Sequence, residues 1–121
     1  MKPASSCRWF LILMLLGFQT YVSQAHAAEK WIVGTWELFH DPDGSDKDWI
    51  EFTETGSVVS FTNDKQNRVR GTYQVEPGEV RIVYELYGQA IPITLTYKNN
   101  KSALYAFSSR TGNYSTYKKI P

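Results

Sequence analysis

From Trp31 onward the chain alternates apolar and polar residues in short runs, and turn-forming residues break the alternation roughly every 8 to 12 positions. A period of two sends successive side chains to opposite faces of an extended backbone, so this pattern demands half-buried β-strands. Eight segments carry it: WIVGTWELF (31–39), WIEFT (49–53), SVVSFT (57–62), RVRGTYQV (68–75), VRIVYELY (80–87), AIPITLTY (90–97), ALYAFSS (103–109) and YSTYKKI (114–120). Nothing between them has helical periodicity of useful length. The connections are short, apart from HDPDGSDKDW (40–49), and short turns impose antiparallel neighbours because a parallel crossover needs about a dozen residues. Sequential antiparallel strands with no helix to cover their edges remove those edges most simply by closing. The expected fold is therefore all-β, an eight-stranded antiparallel up-and-down meander barrel.

Alternation also assigns faces. Val69, Gly71, Tyr73 and Val75 are expected to point inward against Arg68, Arg70, Thr72 and Gln74. Val80, Ile82, Tyr84 and Leu86 continue the inner set, followed by Ile91, Ile93, Leu95 and Tyr97. Trp36, Phe52, Phe61 and Tyr117 add aromatic rings to it. Pro92 has no N–H to donate and fits where that group would not pair, near a strand end or bulge.

Residues 1–27 read differently. Lys2 and Arg8 precede an apolar run from Trp9 to Phe18, and Ala25-His26-Ala27 supplies a small-x-small triplet, the layout of a secretory signal peptide cleaved after Ala27. An apolar core of about ten residues falls well short of the roughly 20 that span a bilayer. Cleavage would remove Cys7, the only cysteine, and leave 94 of the 121 residues (28–121) as one domain held by a packed core alone. It would also remove two of the 13 basic residues against 12 acidic ones, for a formal charge of −1. Such a balance makes no electrostatic case for nucleic acid or an anionic membrane, and the expected location is periplasmic or secreted, with no membrane span after cleavage.

With the strands placed, VGTWEL (33–38) resembles the Gly-x-Trp opening of the first strand of lipocalins. FTETGSVVSF (52–61) and RGTYQVEPGEVRI (70–82) resemble the strand-turn pattern of small bacterial lipocalin-like domains. The resemblance implies that Trp36 packs across the closed end of the barrel under a basic residue of the last strand. Lys118 and Lys119 are the candidates, where the family's usual residue is Arg. The family's second motif, around Thr-Asp-Tyr, is absent, as is its usual disulfide.

Catalytic and metal chemistry find little support in the residues. Counted from Asp41 as an EF-hand loop, Asp41, Asp43 and Ser45 fit the first ligand positions, but Asp46 stands where glycine belongs and Phe52 where the bidentate glutamate belongs. Asp-Pro and Asp-Gly are turn formers in their own right. His40 has neither a cysteine nor, after cleavage, another histidine to complete a zinc site, and no Gly-x-Ser-x-Gly supplies a nucleophile. Glu37, Glu51 and Glu85 alternate with inward residues and are expected to face water rather than act as paired acids.

The functional expectation is a non-catalytic barrel, without cofactor or metal, that binds a small apolar or amphipathic molecule. The loops 40–48, 63–67, 88–89 and 110–113 share one end, and Leu38, Trp49, Phe61, Tyr84, Leu86, Ile91, Phe107 and Tyr114 would line its mouth. The alternative is a protein-binding module of the bacterial envelope, an inhibitor or assembly component, that uses the loop rim or an outer face. Trp49, Tyr87 and the aspartates would then meet an envelope protein partner.

Overall fold

The computed structural model of the protein describes residues 29–63 and 67–121, so the expected leader at 1–27 lies outside the described residues. Eight strands follow one another: β1 (Gly34–His40), β2 (Asp48–Phe52), β3 (Ser57–Thr62), β4 (Arg68–Glu76), β5 (Glu79–Leu86), β6 (Gln89–Thr96), β7 (Ala103–Phe107) and β8 (Tyr114–Lys119). Each pairs antiparallel with the next, and β8 returns to β1, closing the barrel in sequence order. The all-β meander barrel read from the alternation is the fold.

One end is sealed by the residues before β1. Trp31 and Ile32, expected to begin the first strand, instead form a turn, with the Val33 amide bonded to the Lys30 carbonyl. This turn carries Ile32 under the barrel, where it is fully buried, and the Ile32 carbonyl accepts a hydrogen bond of 2.9 Å from the Trp36 indole. Burying an indole of about 200 Å² contributes roughly 4–5 kcal/mol before the cost of ordering it. The bond spares the seal a buried unpaired N–H. Trp31 stands edge-on to Trp36 at 6.2 Å and leans on Tyr97 at 4.7 Å. The tyrosine hydroxyls at this end tie down its turns: Tyr73 donates to the Thr53 carbonyl and Tyr97 to the Glu76 carbonyl, both at 2.6 Å.

The Gly-x-Trp motif acquires a physical reason here. Gly34 has φ of +134°, and a Cβ on it would stand 2.7 Å from Cε of Lys119, whose ammonium crosses the glycine to reach the Trp31 carbonyl at 3.2 Å. The last strand's basic residue thus anchors the sealing turn through its backbone. The other candidate, Lys118, faces outward and lies over the Phe39 ring at 4.0 Å.

Inside, Trp36, Phe52, Val58, Val80, Ile82, Leu95 and Leu104 are all but inaccessible and fill the lower barrel. Gly71 lets β4 bend tightly over β5, since a Cβ there would lie 2.2 Å from the Val83 carbonyl oxygen.

The wall is incomplete at one place. β5 and β6 pair over eight positions, yet β6 and β7 pair only at Leu95–Ala106 and Thr96–Tyr105. The Tyr97 amide bonds to Gly78, toward β5. Amides alternate sides along a strand, so those of Ile91, Ile93 and Leu95 also point toward β5, and the nitrogen of Pro92 points at the seam. Pro92 is therefore within β6 rather than at its end or at a bulge. It is tolerated there because its missing donor faces the edge that has no partner.

Gly71→Ala is expected to lower stability by about 1–3 kcal/mol, because a backbone carbonyl, not a mobile side chain, must yield. Urea unfolding of the two proteins measures it; an unchanged midpoint would show that β4 and β5 can separate without cost.

Candidate functional site

Opposite the sealed end the inner wall changes character. Alternation from the buried Ile50 and Phe52 places Asp48 inward on β2, and from Val58 it places Ser60 inward on β3. Tyr84 on β5 and Tyr117 on β8 face the same space, with Ser115 one step above Tyr117. The Tyr117 hydroxyl donates to both oxygens of Asp48, at 2.9 and 3.0 Å, and the hydroxyls of Ser60 and Tyr84 share a bond of 2.6 Å. Leu38, Leu86, Ile91 and Ile93 supply the apolar part of the wall.

Three of these side chains show that solvent reaches in. Asp48 and Ser60 are half-buried, and Ile93, an inner-face residue by alternation, is 39% exposed. Its partner across the ladder, Ile82, is fully buried. The difference follows from the seam: beside Ile93 no β7 backbone completes the wall. The inward residues here, Ser60, Ala106 and Ser115, are smaller than those that fill the barrel below.

Burial raises the Asp48 carboxyl above the ordinary carboxylate range; the Tyr117 bond opposes that rise and the nearby Asp41 charge adds to it. Tyr84 and Tyr117 are pushed up as well, first by burial and then by the charge of Asp48, so both stay protonated donors at any physiological pH. Ion pairs among the described residues join Lys47 to Glu37 and Arg81 to Glu76 and Glu79, on the outside, and leave Asp48 without a cation.

The acidic loop divides into two parts. The Ser45 side chain first, then the amides of Asp43 and Ser45 and last the Ser115 hydroxyl donate to Asp41 and hold its carboxyl below the ordinary value. Asp43 accepts from Thr111 and the Asn113 amide group, both at 2.8 Å. These two carboxylates clasp the β1–β2 loop to the β7–β8 loop at the rim. Among the described residues no three His, Cys, Asp or Glu side chains converge as metal ligands would. His40 is exposed at the end of β1; Glu51 and Glu85 are exposed and Glu37 reaches Lys47 on the outer face.

Of the eight residues expected to line the mouth, Leu38, Tyr84, Leu86 and Ile91 do face it. The other four stand on the outer surface, a correction that follows from parity. Ile50 and Phe52 are buried, so Trp49 points out; it stacks on Phe61 at 5.8 Å with the rings 10° from parallel, and Arg68 lies over Phe61 at 5.6 Å. Phe107 and Tyr114 face each other at 5.0 Å, half-exposed, where Leu104 and Tyr117 take the inner face. The inward expectation for Phe61 fails for the same reason as that for Trp49. β2 and β8 carry an aromatic on both faces, while the aromatics of β3 and β7 lie on one face opposite small or aliphatic residues, so in none of the four does the position of the ring alone mark the inner face. Asp48, Ser60, Ser115 and Ile93 were missed as site residues. The spacing Asp48-Ile50-Phe52 was the available signal for Asp48, masked by its place at the end of an acidic loop.

Because the folded state raises the Asp48 pKa, it binds that proton more tightly than the unfolded chain does. The associated stability is present at low pH and lost as pH rises through the raised value. Asp48→Asn is therefore expected to raise the urea midpoint at pH 7, with the difference from wild type shrinking as pH falls through the carboxylate range. A lower midpoint for the variant at pH 7 would contradict this.

Comparison with family models, curated proteins and solved structures finds no match for the chain.

Proposed function

We propose that the protein is a secreted or periplasmic, lipocalin-like barrel that binds a small amphipathic molecule at its loop-bearing end and does no catalysis. The observation that carries this reading is Ile93, an inward apolar residue left accessible beside an unpaired seam. A barrel that existed only to be stable would gain by completing the β6–β7 ladder and covering that side chain. Here an apolar strip, Leu86, Ile91 and Ile93, runs from the seam toward the polar groups Asp48, Tyr84 and Ser60, the division of surface an amphipathic molecule requires. Below them the packed rings give a floor, so the site is shallow and suits one small ligand. The leader-like residues 1–27 support the location, and the Gly-x-Trp seal of Trp36 supports the family likeness.

A panel of long-chain alcohols, amines, fatty acids, sterols and tetrapyrroles tests it by thermal shift and native mass spectrometry. A true ligand at 100 times its Kd stabilises the fold by about 2.7 kcal/mol, a shift of several degrees for a domain of this size. Ala106→Phe, which places a ring at the inner wall beside the seam, is expected to abolish the shift. No response across the panel, or one unaffected by Ala106→Phe, would overturn the reading.

A second reading, an envelope protein-binding module, has its own observation. Trp49, Phe61 and Arg68 form an outward ladder across β2, β3 and β4, beside a cleft of about 400 Å³ whose other walls include Thr35, Glu51 and Ile120. Aromatic and arginine side chains of this kind dominate protein interfaces. Pull-down from envelope extract with wild type and Trp49→Ala discriminates: a partner lost with Trp49 favours this face, and one captured equally by both excludes it.

A further inference from the structure

We infer that the polar head the mouth receives is a hydrogen-bond donor carrying positive charge, a protonated amine, and that the site discriminates against carboxylates. The inference rests on the reading of the mouth as a ligand site and adds the chemical class of the ligand.

Asp48 is the charged group on the inner wall at this level, and its setting is one-sided. Its oxygens accept one phenolic proton, from Tyr117, although a carboxylate offers about four lone-pair positions. The neighbouring hydroxyls of Ser60 and Tyr84 bond each other at 2.6 Å, and each oxygen keeps an acceptor position. Asp48 and Ser60 are inward residues of the paired strands β2 and β3, with Ser60 opposite Ile50, one inward step from Asp48, and Ser60 bonds Tyr84, so these acceptors and the carboxylate are neighbours on the inner wall. An ammonium has three donors and no acceptor, which matches a carboxylate beside two hydroxyl oxygens.

The same wall offers an anion no positive charge, only the one hydroxyl proton that the Ser60–Tyr84 bond leaves over. Among the described residues the bases on the flanking strands, Arg68, Arg70, Arg81 and Lys118, occupy outward positions, and Lys47 is held by Glu37 on the outer face at 2.5 Å. Arg110 lies in the exposed β7–β8 loop, not on the wall. A carboxylate head would meet Asp48 in a half-buried setting where like charges are poorly screened. Asp41 adds no free acceptor to attract a metal ion instead, because its oxygens are already engaged by Asp43, Ser45 and Ser115. The tail of the amine lies along Leu86, Ile91 and Ile93 and leaves through the seam where β6 has no partner.

Three probes of equal chain length separate head from tail: n-decylamine, 1-decanol and decanoate, each below its micellar concentration at pH 7, titrated calorimetrically into the full-length chain and its Asp48→Asn variant. Decylamine is expected to bind about tenfold tighter than decanol, the ratio one charge-assisted hydrogen bond in a half-buried site supports, with decanoate weakest. Asp48→Asn keeps an acceptor for Tyr117 and is expected to weaken decylamine about tenfold more than decanol, which erases the amine preference. The apolar N-terminal stretch is common to both proteins, so the difference between them isolates Asp48. Circular dichroism of the variant confirms that it is folded. Decanoate binding as tightly as the amine, or an amine preference that survives Asp48→Asn, would overturn the inference while leaving the ligand site standing. Failure of all three probes would overturn the inference, while the ligand reading stands or falls on the wider panel.

Discussion

Everything in this barrel depends on the return of β8 to β1. Without that pairing the sheet would have two long open edges, and among the described residues there is no helix or cysteine to cover or staple them. Closure is secured where the chain's ends meet: the Ile120 amide bonds to the Thr35 carbonyl at 2.9 Å, and Lys119 reaches the Trp31 carbonyl over Gly34. The same few residues place Ile32 under the barrel and seat Trp36 on its carbonyl. Closing the edges and sealing one end are thus a single event, and it leaves the opposite end to be held by other means.

Those means are polar. At the loop-bearing end the rim is held by Asp41 and Asp43, which join the first and last hairpins through side-chain and backbone donors rather than apolar packing. Hydrogen bonds of this kind, exposed to water, each contribute less than the burial of one large side chain. The two ends therefore differ in rigidity, and the weaker one is where β6 and β7 part. Local opening concentrates where apolar contacts are few and backbone bonds are exposed, and the seam meets both conditions. A ligand entering beside Ile93 would not have to disturb the floor formed by Trp36, Phe52 and Leu104.

Much of this was legible before any coordinates. The period-two runs and short turns specify eight strands, their order and the barrel, because hairpins leave few other topologies. Where a strand has one apolar face, as in β4, β5 and β6, its inward set reads correctly. Where both faces carry rings, as with Trp49 against Phe52 in β2 or Tyr114 against Tyr117 in β8, the inward face is decided by the register with neighbouring strands, and that is a property of the closed sheet. The seam was hinted at by Pro92 alone, since a missing N–H states that one edge is unpaired without saying which. Asp48 was hidden by company: five residues before it and two further back stand aspartates that serve the rim, and no local pattern separates a loop carboxylate from one that begins a strand facing inward.

That separation is what gives Asp48 its meaning. Asp41 lies below the ordinary carboxylate range because donors surround it, so it favours folding at neutral pH; Asp48 lies above that range because burial outweighs the single phenol it accepts from. Two carboxylates at the same end of one barrel thus act in opposite senses on its stability. An asparagine at position 48 would keep the Tyr117 bond without the desolvated charge, and a leucine would extend the apolar wall. Sequences depart from the locally stable choice where function demands it, and here the departure coincides with an unfinished ladder, an accessible inward isoleucine and a stretch of wall without a cation. Any one of these features has an ordinary structural explanation. Together, on one side of one opening, they are the features on which the proposed amine site rests, and Asp48 is the one that sets the sign of the charge it would take.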